Sequence, residues 1–187
     1  MINEKEIIPL IIKGDKKAFS LLVDEYQKLI FHVARRMLQN NGDIEDVCQE
    51  VFVKIYKNIG SFAYKSKLST WIARIAYLTA IDYLKKHRKS VMTYLPEDIE
   101  EYPANYNTPE EDLNHKDVSQ YLNILIAELP AQYRVVITLF HLEEFSLQEI
   151  ENITGMPEGT IKNYLFRARK LLKDKLKLYL KNDDDRG

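Results

Sequence analysis

The stretch SLQEIENITGMPEGTIKNYLFRARKLL, residues 146–172, decides the fold of the C-terminal part of this chain. Ser146, followed three residues later by Glu149, is a capping box that starts a short helix. A tight turn follows, in which Gly155 tolerates a left-handed backbone, and Pro157 sits near the first turn of the next helix, where its missing N–H costs little. The stretch therefore predicts two helices joined by a tight turn.

The second of these helices carries a polar, basic outer face. Its inward stripe is apolar and has helical spacing: Ile161, Leu165, Ala168 and Leu172. The outward positions recur at steps of three and four: Thr160, Asn163, Arg167 and Lys170. Asn can bridge adenine N6 and N7, and Arg can bridge guanine O6 and N7. A plain helical hairpin is the alternative, but the cap, the glycine turn and the basic face together favour a helix-turn-helix that reads the major groove of DNA.

The segments upstream also have the period of helices. Apolar residues recur at helical spacing over 17–38, 43–59 and 68–89, and Pro130 opens another helix before the helix-turn-helix. The sequence therefore predicts an all-α fold.

Charge is segregated along the chain, although the net charge is only −1. Residues 63–90 hold seven Lys or Arg against one acid, residues 94–117 hold eight acids against one Lys, and residues 160–181 hold eight bases against one acid. Each basic block can neutralise phosphates. Solvated helix faces are the alternative explanation for either block alone.

The acidic block predicts a flexible linker over 94–118, because it holds half of the six prolines and no sustained helical period. It separates two small helical domains, 1–93 and 119–181, and residues 182–187 are expected to form a disordered tail. A flexible chain of about 25 residues reaches roughly 25–30 Å, and one turn of duplex is about 34 Å long. The two domains are thus expected to engage separate sites on one DNA.

Composition excludes several other classes of protein. The single cysteine, Cys48, rules out a disulfide scaffold and lies on an apolar stripe, so we interpret it as a small core residue in a reducing, cytoplasmic setting. No apolar run approaches the roughly 20 residues that span a bilayer, and the stretch before Gly14 is a poor signal peptide. Membrane insertion is therefore not expected.

Enzyme chemistry has weak support in the sequence. The four histidines are scattered without metal-ligand spacing, and no glycine-rich phosphate loop occurs. The run His141-Leu142-Glu143-Glu144 is better explained as a helix end with surface acids than as part of a site. We expect no catalytic residues, no metal and no cofactor.

Two surfaces of the first domain are candidate binding sites. Asp46, Gln49 and Glu50 form a compact polar cluster on one helix face, for which a solvated face is the alternative. The helix at 68–89 predicts an exposed ridge of cationic and aromatic residues: Arg74, Tyr77, Ile81, Lys85 and Arg88. The preceding loop, 61–67, has the same mixture. Rings that stack on bases beside cations that meet phosphates suit single-stranded nucleic acid.

Nearly the whole chain resembles the bacterial RNA polymerase sigma factors of the two-domain, extracytoplasmic-function type (group IV). In the first domain the resemblance rests on Gly14-Asp15 with Ala18-Phe19, on Asp46-Val47-Cys48-Gln49-Glu50-Val51-Phe52, and on Thr70-Trp71-Ile72 with Ile75-Ala76 and Asp82. In the last domain it rests on Leu129-Pro130, on Ser146 with Glu149-Ile150, on the run from Gly155 to Lys162, and on Arg167-Ala168-Arg169.

The resemblance implies a division of labour between the domains. The first, like conserved region 2, would dock on the clamp helices of core RNA polymerase through Asp46, Gln49, Glu50 and Val53. It would hold the melted strand of the −10 promoter element through Phe62, Tyr64, Lys65, Ser66, Lys67, Arg74, Tyr77, Lys85 and Arg88. The last, like region 4, would read the −35 element through Ser146, Thr160, Lys162, Asn163, Tyr164, Arg167 and Lys170.

The implied function is transcription initiation by promoter recognition and melting, without covalent chemistry by this chain. Its partners would be core RNA polymerase, through clamp helices and flap, promoter DNA and an anti-sigma factor, and no obligate homo-oligomer is expected. Tyr164 stands where a basic residue is common in the family, which implies a different upstream sequence preference. The alternative is a sigma-like interaction module that sequesters a regulator without touching promoter DNA.

Overall fold

All regular secondary structure in the described part of the chain is helical. A computed structural model describes residues 2–87 and 118–184, and within these ranges no strand occurs, which confirms the all-α prediction. The helices are α1 (Glu4–Ile12), α2 (Lys16–Met37), α3 (Asn41–Asn58), α4 (Leu68–His87), α5 (Val118–Ala127), α6 (Ala131–His141), α7 (Leu147–Thr154) and α8 (Glu158–Asp184), with a 3₁₀ turn at Ile59–Ser61. None of the helices in these ranges is long and apolar enough to cross a membrane.

Side-chain caps fix where several helices begin. Asp15 Oδ1 accepts hydrogen bonds from the backbone N–H of Lys17 at 2.8 Å and of Ala18 at 3.1 Å, which starts α2. The capping box before α7 is confirmed, because Ser146 and Glu149 bond reciprocally through side chain and backbone. Gly155 ends α7 with φ of +77°, the left-handed conformation that the sequence predicted. The helix-turn-helix is thus present as predicted.

Helices α1 and α5 were not predicted from the sequence. Helix α1 contains Pro9, which lacks an N–H for the helical hydrogen bond. Burial of Ile7, Ile8 and Ile11 in the core stabilises α1 despite the proline. Helix α5 begins at Val118, the last residue of the predicted linker, and the rest of that linker lies outside the described residues.

The predicted tail also differs, since α8 continues through Asp184. No glycine or proline stands between Gly159 and Gly187 to end the helix. Residues 185–187 lie outside the described residues.

The core of the first domain is built around α2, which packs on α1, α3 and α4. In the last domain α6 packs on α8 and α7. The two domains also pack against each other, α4 on α7 and α2 on α6, so that one continuous hydrophobic cluster contains residues of both. Two domains joined by a flexible linker were not expected to pack directly against each other. This contact determines which predicted site residues are exposed.

Candidate nucleic-acid and partner interfaces

The polar face of α3 is exposed to solvent. Asp46, Gln49 and Glu50 are exposed, and Val53 next to them on the same face is half exposed. Steps of three and four residues place all four side chains on one side of the helix. Glu50 also pairs with Lys54, whose Nζ lies 2.9 Å from the carboxylate. The arrangement is an exposed patch with an acidic centre and an apolar edge, suited to a partner protein.

Cys48 lies beside this patch but takes no part in it. The thiol is half-buried, and burial, helped by Glu45, raises its pKa. The thiol is therefore protonated at neutral pH, as expected of a packing residue rather than a nucleophile.

The loop before α4 divides into a buried anchor and an exposed tip. Phe62, which the sequence placed at the nucleic-acid surface, is buried, with its ring 4.9 Å from Tyr64 and 5.6 Å from Trp71 between centroids. Tyr64 is half exposed and has φ of +55°, and Lys65 is exposed. Ser66 is partly exposed and its hydroxyl donates to the carbonyl of Lys67. Phe62 thus supports the loop from beneath rather than presenting a ring.

The exposed ridge of α4 is rotated by about one residue from the predicted one. Tyr77 is buried instead of exposed, and its burial raises the pKa of the phenol to about 12. Ile81 is buried as well, and the exposed residues of α4 are Arg74, Leu78, Asp82, Lys85, Lys86 and His87. The rotation arises because α7 covers the side of α4 that the sequence left without a partner. Arg88, also predicted to lie on this ridge, is outside the described residues.

A cavity of about 400 Å³ opens between α3, the 3₁₀ turn and α4. Its lining combines two cations with aromatic and polar side chains: Lys54, Asn58, Ser61, Trp71, Arg74, Ile75, Leu78, Thr79 and Asp82. Lys54 reaches across from α3 and donates to the hydroxyl of Thr79 at 3.1 Å. Lys54 was not among the predicted site residues, because helical spacing shows which residues share a helix face and not which helices meet. The site can accept a planar ring beside cations.

On the helix-turn-helix, the predicted residues of α8 split into three groups. Lys162 and Lys170 are exposed, and Lys162 pairs with Glu158 at 2.6 Å. Thr160, Asn163 and Arg167 are partly exposed. Tyr164 is buried, with its ring 5.1 Å from that of Tyr133, and burial raises its pKa. Ser146 is exposed, but its hydroxyl serves the capping box of α7.

Between Thr160 and Lys170, two exposed residues of α8 were not predicted. Phe166 is 67% exposed, a large fraction for an apolar side chain. Arg169 is exposed and donates to Nε2 of His141 at 3.1 Å while lying 5.5 Å from the Phe140 ring centroid. Partial burial and the neighbouring Arg169 lower the pKa of His141, so Nε2 remains an acceptor. These two positions are identified by their exposure in the structure. The hydrophobic period of the sequence had not placed Phe166 on either face of α8.

The contact between the domains, hereafter the seam, has a polar end built around Glu149. The Glu149 carboxylate lies 3.0 Å from Lys67 Nζ and accepts from the hydroxyl of Thr70 at 3.4 Å. The guanidinium of Arg74 donates to the carbonyl of Asn152. Burial raises the pKa of Glu149, but the hydrogen bonds from Ser146 and Lys67 outweigh it, so the net pKa is below the usual range.

The opposite end of the seam joins α2 to α6 and to the loop after it. His32 Nδ1 lies 2.5 Å from a Glu143 carboxylate oxygen. Arg134 Nε donates to the carbonyl of Arg36 at 2.8 Å, and the Arg36 guanidinium donates to Asn123 at 3.1 Å. Burial, together with Arg35 and Arg134, lowers the pKa of Arg36. A polar cavity of about 700 Å³ lies at this end.

No group of three or more His, Cys, Asp or Glu within the described ranges is arranged to hold a metal ion.

Comparison with family models divides the chain into two matches. Residues 22–90 match Sigma-70 region 2, and residues 125–172 match Sigma-70, region 4. The chain is 35% identical over 182 residues to the ECF RNA polymerase sigma-E factor of Haemophilus influenzae, covering 94% of this chain and 96% of the relative. It is also 35% identical to the ECF RNA polymerase sigma factor SigW of Bacillus subtilis, covering 92% and 96%.

Solved structures with the same fold include two complexes. The chain matches CnrH, solved in complex with the cytosolic domain of CnrY, with a TM-score of 0.64 and 19% identity over 94% of this chain and 97% of that one. It matches the sigma factor RpoE of Bartonella quintana, solved with the anti-sigma factor NepR, with a TM-score of 0.64 and 24% identity over 86% and 98%. These two likenesses establish the fold.

Proposed function

The chain belongs to the RNA polymerase sigma factors of the extracytoplasmic-function type, and we propose on this basis that it binds core RNA polymerase, directs it to specific promoters and assists strand opening. The observation that carries the proposal is the 35% identity to a sigma-E factor over 94% of the chain, because that match includes both sigma regions and the segment between them. The chain is a transcription initiation factor.

We assign polymerase docking to the exposed face of α3. Asp46, Gln49, Glu50 and Val53 lie side by side and no other described element covers them. The apolar edge at Val53 supplies area that gains free energy when it is buried, and the acidic centre sets orientation toward a basic partner surface. The clamp helices of core polymerase are the partner that the family resemblance implies.

We assign the melted −10 strand to the cavity and exposed ridge between the 62–67 loop and α4. Lys65, Lys67, Arg74 and Lys85 supply cations for phosphates, while Tyr64 and the cavity beside Trp71 supply surfaces for bases. A base that leaves the duplex loses stacking worth a few kcal/mol, and the protein stabilises the open strand by replacing that stacking. Phe62 acts by supporting Tyr64 and Trp71.

We assign the −35 element to the outward side of α8. Thr160, Lys162, Asn163, Arg167 and Lys170 lie in its first four turns, and the N-terminal end of the second helix of a helix-turn-helix enters the major groove. Asn163 and Arg167 have the amide and guanidinium groups that read adenine and guanine. Tyr164 supports the helix from its buried side, which leaves fewer side chains for base contacts.

The chemistry of RNA synthesis is that of the polymerase, and this chain contributes binding and strand separation without covalent steps. The site of action is accordingly the cytoplasm, where core polymerase transcribes. An anti-sigma factor is a further partner that we propose, since the RpoE of Bartonella quintana was solved with one. A sigma-like module that only sequesters a regulator would have no use for the exposed Lys162 and Lys170.

Run-off transcription with purified core polymerase tests the proposal. Genomic fragments serve as templates, and the start sites of the resulting transcripts are sequenced. With the chain present, initiation is expected at a discrete set of sites that share two sequence elements, and core polymerase alone gives no such set. Asp46→Ala with Glu50→Ala is expected to abolish the set. Initiation that does not depend on the chain would contradict the proposed function.

A further inference from the structure

The cavity at the α2 end of the seam, hereafter the arginine cavity, is rich in arginine. It has a volume of about 700 Å³ and lies between the last turn of α2, the first turn of α3, and helices α5 and α6. Arg35 and Arg36 line it from α2, and Arg134 lines it from α6. None of its lining residues, all of which belong to the described ranges, is Asp or Glu. Its volume lies within the range of about 300–1,000 Å³ that is typical of small-molecule sites.

The most buried of the three arginines is a cation without a carboxylate facing it across the cavity. Arg36 is only 8% exposed, and its guanidinium donates to the neutral amide oxygen of Asn123 at 3.1 Å. Arg134 reaches the same turn of α2, since its Nε donates to the carbonyl of Arg36 at 2.8 Å. Burial and the charges of Arg35 and Arg134 lower the pKa of Arg36. Because buried charges are normally paired with opposite charges, this cluster favours an anion that the lining of the cavity does not supply.

Other charges near the cavity offset only part of this positive charge. The Glu143 carboxylate lies 2.5 Å from Nδ1 of His32, which lines the cavity, but Glu143 itself is not part of the lining. The C-terminal end of α2 places partial negative charge near Arg35 and Arg36. Helix α3 begins at Asn41 in the same lining, and its N-terminal end contributes partial positive charge. The cavity thus combines three guanidinium groups with a helix N-terminus, which suits phosphate.

One part of the lining suits a nucleobase. Phe31 is 39% exposed, and the guanidinium carbon of Arg35 lies 5.9 Å from the centroid of its ring. An aromatic ring beside an arginine is a surface on which a base can stack. Gln39 and Asn41 are exposed and line the same cavity, and their amides carry both donors and acceptors for the edge of a base. Groups for phosphate and groups for a base therefore share one cavity.

We propose that the arginine cavity binds a nucleoside di- or triphosphate, with the phosphates on Arg35 and Arg36 and the base on Phe31. A planar guanidinium donates two parallel hydrogen bonds to a phosphate, and adjacent arginines suit a ligand with more than one phosphate group. Inorganic polyphosphate shares this chemistry but has no base to stack on Phe31. None of the lining residues belongs to the polymerase-binding, −10 or −35 sets, so the inference goes beyond the proposed function and does not depend on it.

Isothermal titration calorimetry tests the proposal. The full chain is used, so that any competition from the acidic residues 94–117 is included in the measurement. ATP and GTP are the nucleotide probes, tripolyphosphate is the probe without a base, and adenosine is the probe without phosphate. The buffer contains EDTA and salt at about 0.15 M, which screens attraction to basic surfaces elsewhere on the chain. We expect a dissociation constant below about 100 μM for at least one nucleotide, and binding of the other two probes about fivefold weaker or more.

Two substitutions separate the phosphate contacts from the base contact. Arg35→Gln removes an exposed cation and is expected to weaken nucleotide binding about tenfold or more. Phe31→Ala is expected to weaken nucleotide binding about fivefold or more and tripolyphosphate binding less than about twofold, because only the nucleotide has a base to stack. Lys17→Gln is the matched control, since it removes one charge from an exposed position of the same helix, about 27 Å from Arg35 at about 1.5 Å per residue. It is expected to leave every affinity unchanged.

A second phosphate variant tests the geometry of the guanidinium. Arg36→Lys keeps the charge and loses the planar fork, so it is expected to weaken binding of the nucleotide and of tripolyphosphate. Helix content by circular dichroism verifies that each variant is folded.

Several results overturn the inference. Dissociation constants above about 100 μM for both nucleotides would show that the cavity is not a nucleotide site. Equal losses in Arg35→Gln and Lys17→Gln would show general attraction between charges instead of a site. Equal losses of nucleotide and tripolyphosphate binding in Phe31→Ala would contradict stacking of a base. A short single strand that binds more tightly than either nucleotide, and loses affinity in Arg35→Gln, would assign the cavity to nucleic acid.

Discussion

The carboxylate of Glu149 supports both the start of α7 and the packing between the domains. It accepts from the backbone N–H and the hydroxyl of Ser146, each at 2.9 Å, and from Thr70, and it pairs with Lys67. We predict that Glu149→Ala lowers the free energy of unfolding substantially, whereas Glu149→Gln lowers it much less. The two variants differ because the amide oxygen of Gln can still accept some of these hydrogen bonds, whereas Ala can accept none.

The magnitudes follow from the contacts. Loss of the capping-box partner costs about 1 kcal/mol, and loss of charge-assisted bonds at this partly exposed site adds about 0.5–1.5 kcal/mol, so Glu149→Ala is expected to cost roughly 1.5–2.5 kcal/mol. Gln keeps the capping box with its one carbonyl oxygen but loses the pair with Lys67, whose side chain is 72% exposed, and the long bond from Thr70, so it is expected to cost about 0.5–1 kcal/mol. For a chain of this length, the alanine variant should melt about 3–10 °C lower.

Thermal and urea unfolding followed by circular dichroism measure both variants, with Glu151→Ala as the control that removes another carboxylate from α7. The pH dependence supplies a second test. Because the folded-state pKa of Glu149 is depressed, the stabilisation is present above the ordinary glutamate pKa and is lost as pH falls through the lower folded-state pKa. The stability gap between the unchanged chain and Glu149→Gln should therefore close in acid. Equal costs for Ala and Gln at neutral pH would refute the reasoning.

Three further predictions concern the proposed interfaces. Asp46→Ala with Glu50→Ala should weaken core-polymerase binding at least tenfold in a pull-down titration, because two exposed charges at a docking face are removed, while Glu45→Ala on the same helix should not. Arg167→Ala should cost about 1–3 kcal/mol in holoenzyme binding to the −35 element if it contacts a base, and a uniform loss on all sequences would show a phosphate contact only. Tyr164→Ala should cost about 2–4 kcal/mol in urea unfolding and Tyr164→Phe less than about 1, since the ring is buried, and no change with Ala would contradict that burial.

Much of the fold followed from local rules in the sequence. The start of α7 at Ser146 and its end at Gly155 were predicted, because a capping box and a left-handed glycine act over four residues or fewer. Helix α1 was not predicted, since the proline rule is local and the burial of Ile7, Ile8 and Ile11 that outweighs it is tertiary. Caps and turns can be predicted from residues that are neighbours in sequence. Packing against residues that are distant in sequence, which outweighs the effect of Pro9, cannot.

The candidate surfaces show the same difference between features set by neighbouring residues and features set by distant packing. The α3 set was predicted as an exposed cluster and is exposed, because α3 buries only one stripe in its own domain. On α4 and α8 the predicted surfaces include Tyr77 and Tyr164, which the structure buries. Helical period identifies two faces of a helix, but it cannot state that a second domain covers part of the polar one. Tyr77 and Tyr164 belong to the hydrophobic cluster that the two domains share, whereas Phe62 is buried against Trp71 of its own domain.

The burial of predicted surface residues between the domains has a physical cause, because cations and aromatic rings of the kind proposed here to hold single-stranded DNA are also suited to bind another part of the same protein. Cations and aromatic rings recognise phosphates and bases, and Lys67, Arg74 and Tyr77 find a carboxylate, a carbonyl and the apolar face of the last domain instead. An ion pair with so exposed a partner as Lys67 contributes only about 0–1 kcal/mol, so the seam depends on several weak contacts together. Added salt screens the ion pairs of the seam and the proposed strand contacts alike. Salt leaves the hydrophobic cluster that the two domains share in place, so salt alone is expected to weaken the ion pairs without separating the domains.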